Sequence, residues 1–405
     1  MPRIEGVARK TTKEENEIFA HVGPGTPLGE TFRRYWWAVG ISEDLKDKPT
    51  YIRVLCEDLV LWRDAGGKPA LLGSRCSHRR TNLCFGTVES KGLRCRHHGW
   101  LYDPEGVVLE TPGEADESFR KSIKHVAYPT QELGGMIFAY LGPEPAPILP
   151  KYDMLAGGGS RHAFIQGVEA VNWLAAVENG LDPVHSTFLH RDMPAMTERD
   201  WREEVAGEET WFEPIIAQTS VGPVELGICY IVRRPRKSGG GDLIQVHGQT
   251  LPAFNVSVGR WATPIDDTHT LHVRVAWRAD GRDPGKGMYS RVPVVAEPYK
   301  EYLAFEDLPV EERNAPHPEL GYSQKLYPRQ GEQDASMLIS QGSMTDRENE
   351  NLLPHAEVGV SVLRQKYLDM IEDVRAGRDP IGVIRNEALR DEVLHIPRKW
   401  PLHQA

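Results

Sequence analysis

The chain of 405 residues carries 58 acidic against 48 basic side chains, a formal charge of −10, with 40% hydrophobic and 26% charged residues. This is the balance of a soluble globular protein with room for two or three domains, and its sign argues against nonspecific nucleic-acid binding. No apolar run reaches the roughly 18 residues of a membrane span, and Met1-Pro2-Arg3-Ile4-Glu5-Gly6 lacks an apolar secretory stretch, so a cytoplasmic protein is expected.

Thr12-Lys13-Glu14-Glu15 opens a helix with a capping pattern, and Gly23-Pro24-Gly25-Thr26-Pro27 closes it. Gly29 to Val39, with Phe32, Trp36 and Trp37, reads as a second short helix whose aromatics join a core. From Tyr51 to Gly142 the texture changes to short strands and turns: Tyr51–Leu55, Leu59–Arg63, Ala70–Leu72 and a closing run Gly135–Leu141. Strands so closely spaced predict a small all-β domain, ended by the proline-rich Gly142-Pro143-Glu144-Pro145-Ala146-Pro147. The remainder mixes classes. Strands are expected near Trp211–Ser220, Gly227–Arg233, Leu243–Gln249 and His269–Trp277, with a flexible tip at Ser238-Gly239-Gly240-Gly241. In the last strand Leu271, Val273, Val275 and Trp277 share one face. Val358 to Arg375 has the spacing of an amphipathic helix.

The five cysteines are few and odd in number, which suggests packing or metal binding rather than a disulfide framework. Cys56, Cys84 and Cys229 read as buried thiols. Cys76-Ser77-His78 and Cys95-Arg96-His97-His98 each offer one thiolate and one imidazole from a short loop. Two readings fit: a structural Cys₂His₂ zinc site, or a Rieske [2Fe–2S] centre with the cysteines on one iron and the histidines on the other. The alternation Cys, His, Cys, His favours the second. The C-x-x-H spacing selects His98 over His97. A second constellation is His185 and His190, five residues apart, with Asp182 three before the first. Five helical residues diverge by roughly 140°, so Gly180 and Pro183 must bend or bulge the helix for the pair to meet one metal. Imidazole alone does not choose that metal.

With these motifs in hand, the chain resembles the Rieske non-haem iron oxygenases. Cys76-Ser77-His78-Arg79 and Cys95-Arg96-His97-His98-Gly99-Trp100 look like that family's cluster loops, and Glu178 to His190 is similar to its iron motif D-x-x-H-x-x-x-x-H. The opening Glu14–Gly29 resembles the phthalate dioxygenase branch, which includes aryl O-demethylases. Ser77, Arg80 and His97 depart from the usual proline, glycine and tyrosine. The resemblance implies an α+β fold: N-terminal helices over 1–44, a Rieske [2Fe–2S] domain over 45–145, and a catalytic domain over 146–405 with an antiparallel sheet flanked by helices, helix-grip-like. It implies a cluster held by Cys76, His78, Cys95 and His98, and a mononuclear Fe(II) held by His185, His190 and a late carboxylate. Glu332-Gln333-Asp334, leading a helix, looks like the source of that carboxylate, so Asp334 is expected, with Glu357 after His355 as runner-up.

The resemblance makes Asp182 a bridge rather than a ligand, joining His98 of one protomer to His185 of the next in a homotrimer. The implied enzyme is a terminal oxygenase that uses O₂ and electrons from NAD(P)H. The electrons arrive through a separate flavin and iron–sulfur reductase or ferredoxin, since this chain shows no Gly-rich dinucleotide fingerprint. The substrate expected is an aromatic, carboxylated or methoxylated. Gly227–Arg234 and Phe254–Val258 are the expected pocket strands, with Arg233 or Arg234 for a carboxylate. Arg75, Arg79, Arg80, Arg94 and Arg96 around the cluster loops suggest steering of an acidic donor, or surface ion pairs. The alternative function is a Rieske electron carrier without oxygen chemistry, against which the large second part of the chain argues.

Overall fold

The computed structural model describes residues 8–190, 209–235, 242–284, 330–354 and 356–396. Helix α1 (Lys13–Ala20) begins with the expected capping box: Thr12 accepts from the Glu15 N–H, and the Glu15 carboxylate accepts from the Thr12 N–H at 2.9 Å. Helix α2 (Pro27–Phe32) is capped by Thr26, with proline in its first turn. The expected continuation to Val39 is wrong. Trp36–Ile41 is strand β1, buried at every position. Alternation explains it: Trp37 and Val39 join the core under α2, while Trp36, Ala38 and Ile41 fill the core on the other face. A helix presents one stripe, whereas a strand can bury both sides.

Strands β2 (Thr50–Val54), β3 (Glu57–Arg63), β4 (Pro69–Gly73), β5 (Thr87–Glu89), β6 (Gly92–Arg94), β7 (Leu101–Tyr102) and β8 (Val108–Glu110) follow. After helix α3 (Glu117–Lys121) come β9 (Ala127–Tyr128), β10 (Thr130–Leu133) and β11 (Met136–Tyr140). They form the sheets β2-β3-β4-β9, β5-β6-β7-β8 and β1-β11-β10. The two four-stranded sheets enclose a small core of Val60, Trp62, Leu72, Leu83, Leu93, Trp100 and Tyr102, with Cys76 and Cys95 built into it. The closing strand β11 is buried throughout, as expected, and pairs with β1.

Past helix α4 (Asp153–Ala156), strands β12 (Ser160–Glu169), β13 (Glu209–Thr219), β14 (Gly222–Pro235), β15 (Asp242–Thr250), β16 (Phe254–Asn255), β17 (Arg260–Pro264) and β18 (Thr270–Arg278) form one antiparallel sheet. Its order is β12-β18-β17-β16-β15-β14-β13. One face, with Cys229, Ile231, Phe254, Trp261, Val273 and Val275, packs on β1 and β11. Leu271 and Trp277 pack on this side with Val273 and Val275, as the alternation predicts. The other face carries α5 (Trp173–Glu178), α6 (Pro183–Leu189), α7 (Gln330–Ser340) and α8 (Val358–Arg375). This is the expected α+β architecture. Trp173 anchors it, edge-on to Phe32 at 4.6 Å and to Tyr367 at 4.8 Å. Beside it Glu178 is held by Arg364, 2.6 Å away, with Arg347 at 3.9 Å. These pairs tie α5 to α8. The Ser238–Gly241 tip lies outside the described residues.

Candidate metal centres

The two cysteine–histidine loops share one backbone pattern. The Cys76 N–H donates to the Thr81 carbonyl at 2.9 Å, and the Arg80 N–H donates back to the Cys76 carbonyl at 2.9 Å. In the second loop Cys95 N–H reaches Trp100 O at 2.8 Å, and Gly99 N–H reaches Cys95 O at 2.9 Å. Each loop closes through a left-handed residue, Arg80 at φ 63° and Gly99 at φ 76°. For Arg80 that conformation costs about 1–2 kcal/mol, which glycine avoids.

The sulfurs are buried, with Cys76 1% and Cys95 2% exposed, while His78 is exposed and His98 half-buried. The two imidazoles lie 4.5 Å apart, and His78 stacks on Trp100 at 5.0 Å. A single tetrahedral zinc would bring its donors within about 4 Å of one another. Among the described residues, no such tight group forms from Cys76, His78, Cys95 and His98. Thiolates inside and imidazoles outside instead fit a two-iron cluster with one iron facing each pair.

The Tyr102 hydroxyl is 3.0 Å from Cys76 Sγ. His97 is exposed and bonds Thr81 at 2.8 Å, with its ring centre 3.8 Å from that of His98. Of the five arginines, Arg94 is paired with Glu89 and Glu110 and braces the Gly99 carbonyl. Arg75, Arg79, Arg80 and Arg96 are exposed. Cys229 is buried as expected, but Cys56 and Cys84 are only partly so. Burial still pushes both of these thiols up to about 11.

The second centre forms where α6 meets α7. The helix around His185 does not bulge; it breaks. α5 ends at Glu178, Asn179–Asp182 turns, and Asp182 caps α6 with Pro183 in its first turn. Asp182 Oδ1 accepts from the Val184 N–H at 2.7 Å, which leaves Oδ2 3.3 Å from His185 Nδ1. His190 is the C-cap residue of α6 and is fully buried. Asp334 arrives from within α7, not ahead of it as expected, and its Oδ1 lies 3.0 Å from His190 Nε2 and 3.6 Å from His185 Nε2. Ligand atoms of these three residues all lie within 4.8 Å of one another. His190 Nε2 and Asp334 Oδ1 are buried without a hydrogen-bond partner. Two imidazoles and one carboxylate converging on unsatisfied polar atoms fit a divalent metal of the two-histidine, one-carboxylate type.

Electrostatics agree with that donor set. Burial raises the Asp334 carboxyl, but His190 and His185 outweigh it and hold the group below the usual carboxylate range. Burial disfavours a charged His185, yet Asp182 and Asp334 outweigh it and lift the imidazole above its usual range. His190 Nδ1 lies 2.7 Å from Gln333 Oε1. The runner-up Glu357 is elsewhere, accepting from the Leu353 N–H at 2.6 Å at the start of α8; His355 lies outside the described residues.

The sheet below the triad departs from the expected pocket. Ile228, Tyr230 and Val232 of β14 face the helices, but Phe254 and Val256 turn to the opposite side, where Phe254 stacks on Trp261 at 3.6 Å. Arg233 is half-buried across from Glu209 in the β14–β13 register, and the Arg234 side chain lies outside the described residues. Sequence reasoning missed a buried polar group close to Asp334: Glu169 on β12, 2.9 Å from His272, with Arg260 and Arg274 on β17 and β18. Only the alternation of β18, with His272 and Arg274 between Leu271, Val273 and Val275, could have signalled it. Gln333 was visible only as the neighbour of Asp334.

Residues 35–127 match the family model described as the Rieske [2Fe-2S] domain. Over 94% of its length the chain is 30% identical to the 5,5'-dehydrodivanillate O-demethylase oxygenase subunit of Sphingobium sp., covering 85% of that protein. It is 31% identical to the phenoxybenzoate dioxygenase subunit alpha of Ectopseudomonas oleovorans, over 91% of this chain and 87% of that one. The fold superposes on a Pseudomonas putida CBB5 NdmA variant solved with caffeine, with a TM-score of 0.58 at 17% identity, covering 92% of this chain and 100% of the other.

Proposed function

The chain belongs to the Rieske non-haem iron oxygenases, among the oxygenase subunits of O-demethylases and phthalate-type dioxygenases, and from that premise we propose how its residues divide the work. Its cofactors are a Rieske [2Fe–2S] cluster and a mononuclear non-haem iron, and its activity is that of a terminal oxygenase. We assign the cluster to Cys76, His78, Cys95 and His98, and the iron to His185, His190 and Asp334. The observation that carries the iron assignment is the meeting of those three side chains, from two distant helices, at unsatisfied buried atoms.

When bound, the cluster supplies electrons singly and the ferrous ion supplies open positions for dioxygen. The protein's part is positional. Gln333 Oε1 accepts from His190 Nδ1–H, so Nε2 is the nitrogen left to bind metal. Asp334 offsets the charge of the ion in a site where His190 is shut off from water. Asp182 holds the His185 ring from its Nδ1 side.

We further assign Asp182 as the bridge to His98 of a second copy, in a homotrimer. The exposed His78 and half-buried His98 support this, because the imidazole edge of the cluster is open to a neighbour. The division into segments 1–44, 45–145 and 146–405 is kept as part of this reading, as is a cytoplasmic location; no helix among the described residues is long and apolar enough to cross a membrane. The electron donor is a flavin and iron–sulfur reductase or a ferredoxin. The substrate class is a carboxylated or methoxylated aromatic, as the names of the O-demethylase and phenoxybenzoate relatives suggest.

The test is oxygen uptake by the iron-loaded protein with a surrogate reductase, across benzoates, diaryl ethers and methoxylated aromatic acids, with product masses recorded. Substrate-dependent uptake with formation of a hydroxylated or demethylated product is expected. Cluster reduction with no uptake on any such compound would return the chain to electron transfer alone.

A further inference from the structure

Beside the cluster loops lies a hydrogen-bond chain that the assignments above leave unused. The Ser77 N–H donates to the Tyr102 hydroxyl oxygen at 3.1 Å, and that same hydroxyl is 3.0 Å from Cys76 Sγ. A hydroxyl has one proton. A cysteine that ligates the cluster is a thiolate without a proton, so with the cluster bound the Tyr102 hydroxyl is the donor to the sulfur. The Ser77 side chain turns the other way, to His125 Nδ1 at 2.8 Å. His125 Nε2 lies 2.8 Å from the Gly73 carbonyl. A carbonyl only accepts, so Nε2 carries the proton of the neutral ring and Nδ1 is an acceptor. The Ser77 hydroxyl therefore donates to His125.

His125 is itself fixed. It is 4% exposed, its backbone N–H donates to the Gly106 carbonyl at 2.8 Å, and its ring packs on Tyr102 at 4.6 Å. Burial, with Arg80 adding to it, keeps its imidazole below the usual range despite the Gly73 carbonyl.

We propose that Ser77 and His125 are positioning residues that set the reduction potential of the cluster. Ser77 aims and polarises the Tyr102 hydroxyl toward Cys76 through its backbone N–H, and His125 anchors Ser77 by accepting a hydrogen bond from its hydroxyl. Hydrogen bonds to cluster sulfurs favour the reduced, more negative state and so raise the potential. A donor that is itself hydrogen-bonded gives more than one that is not.

The test is spectroelectrochemical titration of the full-length protein with its cluster in place, alongside iron content and the EPR spectrum of the reduced cluster. Ser77→Pro removes both the N–H and the hydroxyl, whereas Ser77→Ala removes only the hydroxyl. Ser77→Pro is expected to lower the midpoint potential by more than Ser77→Ala, with iron content unchanged. His125→Leu is expected to shift the potential in the wild-type background and to add little to Ser77→Ala. A Ser77→Pro potential equal to that of wild type overturns the proposal, as does a His125→Leu shift of the same size in both backgrounds. If His125→Leu does not fold, the comparison of the two Ser77 variants decides alone.

Discussion

Asp334 Oδ1 stands 3.0 Å from His190 Nε2, and neither atom has a hydrogen-bond partner although both are buried. An unpaired buried polar atom costs about 1–3 kcal/mol, so the pair gains stability once an ion is shared between them. Asp334→Ala is expected to reduce total iron from about three to about two atoms per chain while leaving the cluster absorbance intact. Iron retained at the wild-type level in that variant would move the third ligand elsewhere.

Gln333 would act on the same ion at one remove, since its Oε1 lies 2.7 Å from His190 Nδ1. Replacing such an outer partner commonly costs about 10–100-fold in metal affinity or activity. Gln333→Leu should weaken ferrous binding within that range, and Gln333→Glu, which keeps an acceptor, should restore much of it. Anaerobic competition with a chelator reads both, and equal affinities across the three proteins would remove Gln333 from the account.

Asp182 divides its two oxygens between the start of α6 and the His185 ring. Asparagine keeps one acceptor for the helix cap but carries no charge. Asp182→Asn is therefore expected to retain both metals and lose nearly all turnover, with a reduced cluster that no longer empties when substrate and oxygen are added. Full activity in that variant would dismiss the bridging role.

The pair between Arg364 and Glu178 is nearly shielded from water, with side chains 4% and 11% exposed. Removing one partner of a buried pair costs about 3–5 kcal/mol. Arg364→Met should fall within that range: Arg347 remains 3.9 Å from Glu178, but Glu350, 2.9 Å from Arg364, loses its partner as well. Chemical denaturation of the loaded protein measures it, and a change under about 1 kcal/mol would class this pair with surface bridges.

His21 is lifted above the usual imidazole range, first by its bond to Asp267 at 2.8 Å and also by Glu17, against the opposing effect of burial. A raised pKa in the folded state means the gain is complete below about 6.5, the unfolded value, and disappears as pH rises through the folded value. With His21 side chain 45% exposed, the gain is small. Thermal unfolding of wild type should lose stability relative to His21→Gln as pH rises from 6 through 8. Parallel pH profiles would show that the contact carries no protonation energy.

Sequence by itself determined the parts whose information is local. Cys76, His78, Cys95 and His98 are legible because each loop of a few residues must bring its thiolate and imidazole together. The capping box before α1 and the amphipathic α8 are legible because their hydrogen bonds and stripes repeat within a turn or two. His185 and His190 were visible as a pair for the same reason.

Tertiary structure alone decided whatever depends on which face meets which. It turned Trp36 and Trp37 from an expected helix into a strand buried on both sides, a choice propensity cannot make without the cores they fill. It turned Phe254 and Val256 away from the metal residues, because successive strand positions face opposite sides of the sheet. It also carried Asp334 across more than a third of the chain to His190, with Gln333 beside it. Among 58 acids the family resemblance alone points to Asp334, and it is packing that takes this acid out of water and sets it against two imidazoles.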